Sequence, residues 1–131
     1  MNPAEVRDRA EAERRQGNLA AAQQHYEEAV ALYRLALAHT IRHLGDVHRK
    51  RGNWEAAEPC YREALEIYRA NRDHASPLDV ANAIRPYALL QEHNGNRAQG
   101  RAMWEEAQAL YESQGIDAGV EEASRWIELL Q

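Results

Sequence analysis

The chain has no phenylalanine, a single cysteine and no apolar run near the ~18 residues that a membrane-spanning helix needs. Each absence excludes something. Without the apolar run, no transmembrane helix and no membrane partner are expected. The lone Cys60 leaves no internal disulfide and fits a reducing, cytoplasmic setting. The opening segment MNPAEVRDRAEAERRQ has no apolar centre, so no secretory leader is expected. There is no glycine-rich phosphate loop and no Ser–His–Asp arrangement in a known context. The chain is therefore not expected to be an enzyme or to carry a cofactor.

What is present favours helix. Ala, Glu, Arg, Leu and Gln dominate, and β-branched runs are few. With 131 residues the chain can bury one compact core. The main feature is a segment that occurs three times: GNLAAAQQHYEEAVALY from Gly17, GNWEAAEPCYREALEIY from Gly52 and GNRAQGRAMWEEAQALY from Gly95. Each copy opens on Gly-Asn, has an aromatic nine places later (Tyr26, Tyr61, Trp104), then Ala (Ala29, Ala64, Ala107), and closes on Tyr (Tyr33, Tyr68, Tyr111). Gly suits the left-handed position after a helix, and Asn can cap the next helix with its side-chain oxygen. A helix A is thus expected before each Gly-Asn, over about 4–16, 35–51 and 78–94. A helix B is expected after it, over about 19–34, 54–70 and 97–113. A short last helix, 120–130, presents Val120, Ala123, Ile127 and Leu130 on one side, as a cap over an open stack would. Gly115 and Gly119 are expected to break the chain ahead of it. Pro59 and Pro86 fall inside expected helices and should bend them.

The repeat resembles the tetratricopeptide repeat, and more closely the longer-period variety of kinesin light chains. In the second unit, Leu44-Gly45 matches the helix-A pair, and Ala57, Tyr61 and Ala64 match the small–aromatic–small triplet of helix B. The third unit places Tyr87-Ala88 and Gly100, Trp104 and Ala107 there; the first has Arg9-Ala10 and Ala22, Tyr26 and Ala29. The resemblance implies an all-α, right-handed α-solenoid in one domain, 1–131. Its repeats would cover about 4–34, 35–70 and 78–113, with a capping helix at about 119–130. It implies a non-catalytic scaffold that binds a protein or peptide segment in the helix-A groove.

One junction departs from the pattern. The tails from Leu35 and from Leu78 align without a gap as far as Gly52 and Gly95, yet the residues Ala70–Pro77 have no counterpart between Arg34 and Leu35. The stretch ALYRLALAHTIRHL contains no Gly, Pro, Asn or Asp to stop a helix. Two outcomes are compatible with this. The chain can unwind into a tight turn there, or the first B and second A helices can fuse into one helix over about 19–51. Fusion would leave Tyr26, Val30 and Tyr33 uncovered. A domain-swapped or intertwined homodimer, a structural module with no separate ligand, is then the alternative reading of function.

By the family's register, the groove-facing candidates are His39, Arg42, His43, Asp46, Arg49 and Lys50 in the second unit and Asn82 and Arg85 in the third. Arg7, Glu11, Arg14 and Arg15 would face it from the first unit, and Leu89, Glu92 and His93 from the third. Cations prevail in this set although the chain carries a net charge of −5; such a face either steers an acidic segment into the groove or is a solvated basic face with local ion pairs. Nucleic acid is not expected, because the patch is small and lacks exposed aromatic interleaving. The carboxylate clamp of chaperone-binding relatives is also not expected: its positions hold Arg7, Glu11, His43, Asn82 and Pro86. His39 and His43 lie one turn apart, but neither His48 nor Cys60 completes a metal site. Cys60 and the tryptophans read as packing residues.

Overall fold

The computed structural model describes residues 1–131 as helices and turns, with no strand. The helices are α1 (Pro3–Arg15), α2 (Leu19–Lys50), α3 (Trp54–Ala70), α4 (Pro77–His93), α5 (Arg97–Ser113) and α6 (Asp117–Leu129). Each packs against the next in sequence, from α1 on α2 to α5 on α6, which makes an all-α solenoid. α3 and α4 run on through Pro59 and Pro86.

The Gly-Asn turns repeat the same geometry. Gly17, Gly52 and Gly95 all have φ of 78°. At the second turn the Gly52 N–H donates to the Arg49 carbonyl at 2.9 Å and the Asn53 N–H to that of His48 at 2.8 Å. This left-handed closure satisfies two terminal carbonyls of α2 and reverses the chain. Side-chain capping is narrower than expected. Asn53 Oδ1 accepts from the Ala56 N–H at 3.3 Å, whereas Asn18 and Asn96 make no such bond. The Asn96 amide donates instead to Gln91 Oε1.

At the first junction the chain forms one continuous helix of 32 residues, ~48 Å long at 1.5 Å per residue. Every residue around Arg34-Leu35 is at least a tolerable helix former, so no local term favours a turn. At the second junction Ser76 accepts from the Asp79 N–H at 3.0 Å, and Asp79 accepts in return from the Ser76 N–H. That capping box starts α4 on a new axis.

The consequence for packing is large. A core of 19 buried residues runs from Leu35 to Leu130. The buried residues of α1 and the N-terminal half of α2, Val6, Ala10, Ala22 and Ala29, lie outside that core. The first hairpin therefore extends away from the body on the rigid α2. Within the body, small residues set the helix spacing. A Cβ on Gly45 would lie 2.9 Å from Tyr61 Cε1 and 3.1 Å from Cys60 Cβ, so a bare position lets α3 approach α2. Cys60, expected to be buried, is only half-buried. Gly119, expected to break the chain, lies inside α6, where a Cβ would meet the Tyr111 ring.

Candidate functional site

Arg42, His43, Asp46, Arg49 and Lys50 lie on successive turns of the C-terminal half of α2, and Asn82 and Arg85 on α4. With Pro86 they line one depression of about 320 Å³ that contains no hydrophobic side chain. Seven of the eight candidates thus share a site. His39 does not line it: its Nδ1 is 2.6 Å from Tyr68 Oη, and the rings meet edge to face. Asn82 occupies the same repeat position and accepts from Tyr111 Oη at 2.9 Å. That position anchors the tyrosine that closes the second and third B helices, Tyr68 and Tyr111. The first-unit candidates Arg7, Glu11, Arg14 and Arg15 are absent from the depression, because α2 carries α1 away from it.

The charges of the site are partly committed. Tyr61 Oη donates to Asp46 at 2.7 Å and accepts from Arg49 Nε at 3.0 Å, and Arg49 is also 3.5 Å from Asp46. Arg85 makes a two-point contact with Glu122 of α6, its Nη2 at 2.9 Å. These hydrogen bonds raise the Arg85 pKa above its ordinary value. His43 is mostly exposed and lies 3.6 Å from Asp46. Arg42 and Lys50 make no ion pair, so they are the cations available to a ligand. Tyr61 and Glu122 are the contributors that sequence reasoning missed. Tyr61 reads as a packing aromatic. Glu122 is far along the chain, and its only signal is its place on the acidic face of the last helix.

Burial of the core tyrosines, Tyr61 of the site among them, gives a pH prediction. Desolvation raises Tyr61, and it raises Tyr68 and Tyr87 from 10.0 to about 12. The phenolate is thus disfavoured in the folded chain, while the unfolded chain ionises near its ordinary value. This stabilisation is complete below pH 10.0 and is lost as pH rises through about 12. The tyrosines should ionise together with loss of helix in an alkaline titration followed by ultraviolet absorbance and circular dichroism. Core tyrosinate forming while the helix signal stays intact would contradict it.

Residues 3–70, half of the chain, match the tetratricopeptide repeat family, and the chain belongs to that family. Repeats of this family mediate protein–protein contact and scaffolding. No curated protein matches the chain. No helix is long and apolar enough to cross a membrane.

Proposed function

We propose that this chain is a non-catalytic interaction scaffold that takes an acidic peptide or protein segment in the depression between α2 and α4. The carrying observation is the lining there, polar but for Pro86, in which Arg42, Arg49, Lys50 and Arg85 outnumber Asp46 and Glu122, the partner of Arg85. Arg49 and Arg85 are held in place by Tyr61 and Glu122, and Arg42 and Lys50 remain free to meet carboxylates. Pre-positioned cations on a rigid helix favour a carboxylate-bearing partner without reordering the site.

The test uses short fluorescent peptides that are Glu-rich, Lys-rich or uncharged, followed by anisotropy at low salt. The Glu-rich peptide should bind best, and Arg42→Glu with Lys50→Glu should weaken it about tenfold or more. Equal binding of all three peptides, or no effect of the double variant, would count against the reading. A second reading, self-association, is favoured by one observation: the continuous α2 leaves the first hairpin without a neighbour in its own chain.

A further inference from the structure

We infer that a second copy of this chain completes the junction missing between the first and second repeats. Each copy lays its α1–α2 hairpin on the C-terminal half of the other's α2. This deepens the self-association reading and rests on it; it is independent of what the charged groove binds.

The chain contains its own template. Between the second and third repeats, α3 packs on α4. Leu65 and Tyr68 of α3 and Val80, Tyr87 and Leu90 of α4 are all buried. Subtracting the repeat spacing from Gly17 to Gly52 places Val30 and Tyr33 where Leu65 and Tyr68 stand. Subtracting the spacing from Gly52 to Gly95 places Leu37, Leu44 and Val47 where Val80, Tyr87 and Leu90 stand. Leu65 is 5% exposed and Val30 47%; Tyr87 is 8% exposed and Leu44 50%. Tyr33, Leu37 and Val47 are likewise exposed. Both halves of a repeat junction are therefore present and bare. The straight α2 sets them end to end, so they cannot meet within one chain.

Charge gives an independent match. Across the template, Arg69 of α3 grips Glu106 of α5 through both carboxylate oxygens, at 3.0 and 2.7 Å. Their counterparts one repeat earlier are Arg34 and Glu63, both exposed and both without an ion-pair partner. Stacking across copies would bring Arg34 of one copy to Glu63 of the other.

The register closes symmetrically. Tyr87 donates to Glu58 at 3.0 Å across the template, and the counterparts of that pair are Leu44 and Gln23. Setting Gln23 of one α2 opposite Leu44 of an antiparallel second α2 puts Val30 opposite Leu37. The two-fold axis then passes near Tyr33 and Arg34, at the middle of α2. Two such helices overlap along almost their whole length and form a closed, isologous dimer. Val30, Leu37 and Leu44 also recur every seven residues, the spacing at which helices pack along one another. The open depression of about 460 Å³ lined by Tyr26, Val30, Arg34 and Asn71 borders that axis.

The experiment is the mass of the full chain in solution by light scattering and sedimentation. Wild type should have twice 15.0 kDa at micromolar concentration. Val30→Glu with Leu44→Glu, at positions exposed in the single chain, should keep the helix content and weaken the dimer by about a hundredfold or more. Arg34→Glu and Glu63→Arg should each weaken it about tenfold, and the two together should restore it to within about threefold of wild type. A wild-type monomer at about 100 µM overturns the proposal. A dimer indifferent to the Val30 and Leu44 changes overturns it by placing the contact elsewhere. A charge swap that fails to restore affinity overturns the reciprocal register. None of these residues lines the charged groove, so failure here leaves the peptide titration intact, and failure of the titration leaves the mass intact.

Discussion

Transplanting the connector Ala70–Pro77 between Arg34 and Leu35 is expected to abolish the proposed two-chain assembly and give a compact single chain. The transplanted segment brings elements that end α3 and start α4: the turn from Asn71 to Ala75, the Ser76 N-cap and Pro77 at the first helical position, with Ala36 falling where Asp79 stands. With α2 split, the first hairpin can fold back onto the second repeat of its own chain. Val30 and Tyr33 then meet Leu37, Leu44 and Val47 intramolecularly. A short linker gives an effective concentration of about millimolar, against micromolar free protein, a preference of about a thousandfold or ~4 kcal/mol. Small-angle scattering should show a monomer more compact than a single wild-type chain with α2 extended. The variant still eluting as a dimer at about 10 µM would tell against the uncovered first hairpin as the cause of self-association.

Trp104→Ala is expected to cost about 3–5 kcal/mol of stability and to lower the melting temperature by at least ~10 °C. Trp104 is fully buried on α5, and its ring stacks on Trp126 of α6 with centroids 5.8 Å apart. Removing it leaves a cavity between α5 and the cap, which rigid helices cannot close. Trp104→Phe should cost far less, under about 1.5 kcal/mol. Trp104 Nε1 is buried with no hydrogen-bond partner, and the smaller ring removes that unsatisfied donor as it loses volume. Thermal melts followed by circular dichroism decide it: equal losses for Ala and Phe would show that the aromatic volume kept by Phe does not matter and that the packing account is wrong.

The helices of this chain were largely legible because their signals are local. The Gly-Asn turns, the period of Ala57, Tyr61, Ala64 and Tyr68, and the stop signals around Asn71 and Ser76 each act within a few residues. The clustering of Arg42, His43, Asp46, Arg49 and Lys50 was readable for the same reason, since one helix places them on successive turns. Their pairing was not. Tyr61 and Glu122 reach Asp46, Arg49 and Arg85 from other helices, and no spacing in the sequence encodes those contacts. His39 was misplaced on similar grounds: its neighbour Tyr68 is nearly thirty residues away, on α3.

The sequence by itself determined the repeat, the all-helical class, the family and the absence of a stop signal at Arg34-Leu35. Local propensity and turn chemistry suffice for each of these. Tertiary structure decided that α2 runs unbroken, that the core begins only at Leu35, and which cations stay free in the groove. Propensity made fusion and a tight turn both admissible at the first junction. Only the packing of α3 on α2 and α4 shows which apolar faces find a neighbour within the chain and which, from Val30 to Val47, do not.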